Sequence, residues 1–297
     1  MNALPSTPCY LNGEYIPISE AKISVLDRGF IFGDGIYEVV PVYGGKPFQF
    51  DQHMWRLDRS LKELRIINPH DKNSWLIIIQ TLVEKFAEMQ GQLIQDTNQV
   101  FYLQITRGVA LRDHVMPTNI VPTIFAMVNT LIPPPEVYRI KGVSCVTADD
   151  FRWEKAHIKT TSLLGAVLSR QISADVNAAE TVMFRENFLS EAAASNVWVV
   201  KNGILAGPPK NNLVLEGIRY GLIENICKKI HIPFELRPIT REDVFDADEL
   251  LLSSATKEVL AITTLDGQAI GTNDYKGAPG PIYKKLYQAY QVEKNNE

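Results

Sequence analysis

A chain of 297 residues is longer than one compact core usually occupies, so one large or two medium domains are expected. With 45% hydrophobic and 22% charged residues and a net charge of -4, it has the make-up of an ordinary soluble globular protein, and neither nucleic acid nor an anionic membrane is expected as its main partner. Three scattered cysteines exclude a disulfide framework and a Cys-based zinc site, no metal is expected, and no apolar run reaches the ~20 residues that span a bilayer. The N-terminal MNALPSTPCYLNGEY lacks the pattern of a signal peptide, which points to a reducing cytoplasm.

Along the chain, Asn12-Gly13 and Gly44-Gly45 are flanked by apolar or β-branched residues and read as hairpin turns, because such pairs supply the positive φ angles a two-residue turn requires. DQHMWRLDRSLKELRI places Met54, Leu57, Leu61 and Leu64 at helical spacing, and SWLIIIQTLVEKFAEM follows the same period. The apolar VPTIFAMVN reads as a closing strand before NTLIPPPEVY, whose three prolines exclude a helix and favour a stiff linker. The expected organisation is therefore 1–130, a linker over 131–136, and 137–297. Downstream, VSCVTADDFRW begins as a strand, Asn202-Gly203 and Asp266-Gly267 mark two more hairpins, and LVLEGIRYGLIENICKKI has a helical pattern. Hairpins mixed with helices indicate an α+β chain.

The stretch AHIKTTSLLGAVLSRQ holds the residue of greatest chemical interest. Lys159 precedes what reads as an amphipathic helix, with Thr160 to Ser162 as caps and Leu163, Leu164, Val167 and Leu168 as an apolar stripe. Burial and a helix N-terminus would both disfavour the ammonium and make the amine a nucleophile. In EKAHIKT, alternating side-chain directions would put Lys155, His157 and Lys159 on one face. By spacing alone, a solvated lysine near a helix start is the plainer reading.

Other segments give that lysine company. NFLSEAAASNVWVV isolates one carboxylate, Glu191, beside the small side chains Ala192 to Ser195, where a flat group could approach the backbone. An acid aimed at a heterocyclic nitrogen keeps that nitrogen protonated, as a pyridine-type electron sink requires. LEGIRYGL sets a Gly-Ile-Arg turn ahead of a helical pattern, where backbone N–H groups could hold a phosphate. LLSSATKE offers Ser253, Ser254 and Thr256 after a buried strand and before a possible helix start, and Arg56 could add a fixed cation. Each is weak alone; Glu191 could equally lie on an edge strand and Arg56 on a solvated helix face.

In their order and spacing, these blocks resemble the class IV, or fold-type IV, pyridoxal-phosphate aminotransferases over roughly residues 9 to 290. The blocks are YLNGEYIP, VLDRGFIFGDGIYEVVPVYGGKPFQFDQHMWRLDRS, TRGVALRDHVMP, IKTTSLLGAVLSRQ, LSEAAASNVWVVKNGIL, NNLVLEGIRYGLI and LLSSATKE. The resemblance implies two domains, a smaller N-terminal α/β domain and a larger C-terminal one with a β-barrel-like sheet and flanking helices. It implies pyridoxal 5'-phosphate as cofactor, with Lys159 forming the Schiff base and shuttling the proton between the substrate α-carbon and the cofactor C4′ position. Glu191 would pair with the pyridinium nitrogen and Leu215 would pack on the ring face. Arg56, the backbone at Ile218 and Arg219, and Ser254 with Ala255 would hold the phosphate. Relatives commonly carry threonine at the position of Arg219 and a hydroxyl residue at that of Ala255, so here the phosphate would rely more on backbone N–H groups and charge.

RGVALRDHVMP bears on the substrate. Arg112 and His114 lie two apart, so an extended loop presents a guanidinium and an imidazole on one side, a natural trap for an α-carboxylate, and Tyr37 could add a third donor. In the resemblance this set marks the D-amino-acid transaminases, where the loop reaches the active site from the partner subunit of a homodimer. The substrates the resemblance implies are thus a D-amino acid, such as D-alanine, and a 2-oxo acid, such as 2-oxoglutarate or pyruvate. An L-branched-chain aminotransferase and aminodeoxychorismate lyase are the alternatives on the same scaffold.

Overall fold

The computed structural model of the chain describes residues 6–296. Two compact units emerge: the first comprises residues up to Ile132 together with Ile158–Leu163, the second Pro133–His157 and Leu164 onward.

The first unit is built on an antiparallel sheet. Its strands are β1 (Pro8–Leu11), β2 (Glu14–Pro17), β3 (Gly35–Tyr43), β4 (Lys46–Pro47), β5 (Asn98–Thr106) and β6 (Thr123–Thr130), in the order β2-β1-β6-β5-β3-β4. Asn12-Gly13 and Gly44-Gly45 form the turns of the β1–β2 and β3–β4 hairpins, all four residues at positive φ. A short helix, α1 (Arg28–Phe32), precedes β3, and α2 (Phe50–Glu63) and α3 (Lys72–Met89) cover the sheet. Met54, Leu57 and Leu61 of α2 and Ile79, Leu82 and Val83 of α3 share one core with Val40, Phe101 and Leu103 of the strands, which is where helical and two-residue periodicities meet. Ile158 joins this core.

The second unit contains α4 (Glu136–Lys141), β7 (Val143–Asp149), α5 (Leu164–Asp175), β8 (Glu180–Arg185), β9 (Phe188–Ala192), β10 (Asn196–Lys201), β11 (Ile204–Gly207), α6 (Arg219–Lys229), β12 (Phe234–Leu236), α7 (Arg241–Phe245), β13 (Glu249–Ser254), β14 (Glu258–Leu265), β15 (Gln268–Ala269) and α8 (Pro281–Asn296). The strands form a mixed sheet in the order β12-β11-β10-β13-β14-β7-β8-β9, with β15 on β14. Val182, Val197, Val199, Leu250, Leu252, Leu260 and Ile262 fill its core. Pro135 caps α4, so the prolines end in a helix start, where a missing N–H costs nothing.

Three sequence expectations fail for physical reasons. The helix expected after Thr160 to Ser162 forms from Leu164, but those residues do not cap it, because residues 159–161 bond instead with β3: Tyr37 N donates to Lys159 O at 3.0 Å and Thr161 N to Gly35 O at 2.9 Å. The Thr161 and Ser162 hydroxyls donate to Gly33 O rather than capping a helix. Residues 154–157 form a turn, so Lys155, His157 and Lys159 do not alternate along an extended run. After LLSSAT comes no helix: β13 and β14 form a hairpin with Ser254 opposite Glu258.

Candidate active site

Lys159 lies on an irregular stretch fastened beside β3. Its backbone N–H donates to Ser60 Oγ of α2 at 3.4 Å, and its Nζ stands 4.0 Å from the centre of the Tyr37 ring. The bonding to Gly35, Tyr37 and Gly33 fixes the backbone on both sides of the lysine while the amine itself stays half-buried. Tyr37 also packs 6.0 Å from Tyr102, whose hydroxyl burial pushes up to about 12.

Arg56 is drawn inward by a carboxylate. Its Nε donates to Glu38 Oε1 at 2.7 Å and its Nη2 to Oε2 at 2.8 Å, while His53 Nδ1 lies 2.8 Å from the same Oε2. Burial would raise Glu38, but the Arg56 charge and these bonds hold it well below the ordinary carboxylate range. The solvated helix face open to Arg56 in the sequence is therefore not where it lies; it is 3% exposed.

Glu191, near the end of β9, is buried just before the turn formed by Ala192 to Ser195. Arg152 Nη1 donates to its Oε1 at 2.5 Å, while Asn196 Nδ2 and Leu215 N donate to Oε2, each at 3.2 Å. Arg152 is not Glu191's alone: Nε and Nη2 grip Asp150 at 2.9 and 2.8 Å. Burial pushes Glu191 up to about 7 against the pull of Arg152, and the Asp150 charge adds to the rise.

Of the residues expected near a cofactor ring and phosphate, Leu215 lies against Glu191. Leu215 offers its backbone N–H to Glu191 and its carbonyl to Asn196 Nδ2 at 3.0 Å. Ile218 caps α6, and a Cβ at Gly217 would lie 2.1 Å from Asn196 Oδ1, so only glycine fits this approach. On the β13–β14 turn, Ser254 Oγ accepts from Lys257 N at 3.0 Å, and the carbonyl of Ala255 accepts from Arg219 Nη2 at 3.0 Å. Arg219, whose side-chain direction the sequence leaves open, thus turns inward.

In the first unit, Arg112 and His114 converge on Phe32 of α1: the guanidinium stands 5.4 Å from the ring centre and the imidazole ring also 5.4 Å. Arg28 fixes the loop between them, donating from Nη1 to Asp113 O at 2.5 Å while its Nε holds Asp34 at 2.8 Å. Arg152, Asp150, Asn196, Arg28 and Phe32 were not foreseen as site residues. The spacing of Asp150 and Arg152 in DDFRW was the one local signal; the others depend on contacts across the chain.

A model of the amino-transferase class IV family matches residues 35–265. A D-alanine aminotransferase of Staphylococcus epidermidis is 36% identical over 289 residues, 96% of this chain and 97% of the relative. One from Staphylococcus aureus strain N315 is 37% identical, covering 95% and 96%. The solved branched-chain amino acid aminotransferase of Escherichia coli superposes with a TM-score of 0.84 at 20% identity, over 97% of this chain and 94% of that one. The architecture is that of a fold-type IV pyridoxal-phosphate enzyme, with a curled sheet and flanking helices as the resemblance implied. The chain belongs to the class IV aminotransferases, and its chemistry is pyridoxal-phosphate-dependent transamination.

Proposed function

We propose that the enzyme moves an amino group between a D-amino acid such as D-alanine and a 2-oxo acid such as 2-oxoglutarate or pyruvate. The observation that carries this reading is the shared seat of Arg112 and His114 on Phe32, which gathers a guanidinium and an imidazole on one loop. The relatives named as D-alanine aminotransferases, at 36% and 37% identity over nearly the whole chain, support the same substrate class.

The residues present fit pyridoxal phosphate. An amine on a fixed backbone, a buried carboxylate raised to about 7, a glycine-led helix N-terminus and a hydroxyl-bearing turn are the donor set such a group requires. When bound, the cofactor supplies the carbonyl that accepts the amino group and the electron sink that makes the substrate's α-hydrogen acidic. Lys159 Nζ would take that proton from the α-carbon and deliver it to the C4′ position of the cofactor, moving over the apolar face of Tyr37. Glu191, more basic than an ordinary carboxylate, would keep the ring nitrogen protonated, with Arg152 and Asn196 holding its oxygens in place. Arg56, Ile218, Arg219, Ser254 and Ala255 would bind the phosphate, and Leu215 would bound the ring face.

Arg112, His114 and Tyr37 would bind the substrate carboxylate. The position of that trap decides which hydrogen of the α-carbon faces the lysine, and hence the accepted enantiomer. We further infer a homodimer whose trap loop serves the partner's site. The stripe Leu164, Val167 and Leu168 on α5 is 50% or more exposed, an apolar surface suited to burial against a second copy. With buried free thiols at Cys9, Cys145 and Cys227, the enzyme suits a reducing cytoplasm, and no helix among the described residues is long and apolar enough to cross a membrane.

Arg112→Ala tests the trap. With cofactor still bound, its kcat/KM for D-alanine should fall by about one to two orders of magnitude, the worth of a charge-assisted hydrogen bond. An unchanged kcat/KM would remove Arg112 from substrate binding.

A further inference from the structure

Arg219 is the first residue of α6, yet its side chain is 1% exposed. A cation there opposes the helix dipole, and burying a guanidinium costs further free energy, so helix stability alone does not explain it. Its Nη2 donates to the carbonyl oxygen of Ala255 at 3.0 Å, and the guanidinium packs 5.4 Å from the ring centre of Tyr290 on α8. The side chain therefore stitches the start of α6 to the turn between β13 and β14.

That turn is pinned elsewhere by separate bonds. Lys257 N donates to Ser254 Oγ, and Lys257 Nζ pairs with the buried Glu180. Glu258, at φ +58, takes Arg139 Nη2 and Lys294 Nζ, each at 2.9 Å. These contacts fix residues 257 and 258, and Arg219 holds the peptide unit just before them. Because a trans peptide is planar, a carbonyl of Ala255 turned to the guanidinium points the N–H of Thr256 the opposite way.

We propose that Arg219 is a positioning residue for the cofactor phosphate: it holds the Ala255–Thr256 peptide so that the Thr256 N–H faces the anion, and it acts through Ala255 rather than by touching the phosphate. The inference rests on reading Ile218, Arg219, Ser254 and Ala255 as the phosphate site. It adds Thr256 to that site and gives the Arg219 side chain a role separate from that of its own backbone N–H.

The test uses the full-length protein freed of cofactor. Hydrogen exchange over residues 217–220 and 254–258 is measured with and without inorganic phosphate, and pyridoxal-phosphate affinity is measured by fluorescence titration. In the wild type, phosphate should slow exchange in both segments. Arg219→Met should weaken cofactor affinity about tenfold, the worth of one charge-assisted hydrogen bond, and lose the protection at 254–258. Arg219→Gln, which keeps an N–H donor without the charge, should restore affinity to within about threefold, and Arg219→Lys should restore less. If Lys restores affinity and Gln does not, the charge acts on the phosphate directly and the positioning role is wrong. If Arg219→Met folds and binds as the wild type does, the role is equally overturned. Should Arg219→Met fail to fold, the comparison of Gln with Lys decides alone. Absence of protection in either wild-type segment would instead overturn the phosphate reading itself, whatever the variants do.

Discussion

Glu38 on β3 and Glu191 on β9 are both buried glutamates that meet an arginine, and their environments drive them in opposite directions. Glu38 receives two N–H groups from Arg56 and faces His53, so burial is outweighed and the carboxylate is held ionised. Glu191 receives one N–H from an Arg152 that gives two others to Asp150, so one cation serves two carboxylates and burial prevails. The Arg56–Glu38 pair ties α2 to β3, whereas Glu191 is left as a carboxyl group able to hold or release a proton near neutral pH.

Breaking the locked pair should have the largest effect. Arg56→Met strands Glu38 in the core and should cost about 3–5 kcal/mol of stability, read from the denaturant midpoint of the cofactor-free protein. A loss below about 1 kcal/mol would show that Glu38 is not held by Arg56.

Glu191→Gln should spare the fold but lower kcat by about two to three orders of magnitude, the cost of removing one aligned electrostatic partner from a reacting group. The same variant tests the pH behaviour. With Glu191 raised from 4.5 to about 7, the folded cofactor-free protein binds more protons than the unfolded chain between those values. The contribution is complete below pH 4.5 and is lost as pH rises to 7, a drop of about 3 kcal/mol, since each pKa unit is worth about 1.4 kcal/mol. Glu191→Gln should abolish that slope. Glu38 has the opposite sign: its lowered pKa gives stability present above about 4.5 that is lost in acid.

Sharing itself can be undone. Asp150→Asn leaves Arg152's charge to Glu191 alone and should move the Glu191 window down by about one pH unit, near 1.4 kcal/mol. An unmoved window would show that burial alone sets Glu191. The smallest effect should come from Phe32→Leu, which keeps an apolar seat but loses the ring face; KM for D-alanine should rise about threefold with kcat little changed, reflecting ~0.5–1 kcal/mol for an exposed cation–π contact.

These contrasts also mark what local sequence can reveal. All four Asn-Gly, Gly-Gly and Asp-Gly turns form as expected, because positive φ is a local demand that few residues meet. The α2 and α3 helices follow from their apolar period, since one face of each is buried. Lys159 could be singled out by type, but its backbone setting could not: Thr161 bonds to Gly33, 128 residues earlier, and no local pattern announces it. Likewise Arg152 and Glu191 are 39 residues apart, so the cluster exists only once β7 pairs with β8 and β8 with β9. The stripe on α5 has the spacing of a core helix, yet Leu164, Val167 and Leu168 are each 50% or more exposed, which spacing alone does not reveal.

The most direct measurement is a paired assay of the wild-type enzyme with D-alanine and with L-leucine, each with 2-oxoglutarate as acceptor. A trap built on Arg112 and His114 predicts faster turnover of D-alanine, with formation of glutamate of D configuration. Faster turnover of L-leucine would contradict the assigned handedness and make the enzyme an L-branched-chain aminotransferase on the same scaffold.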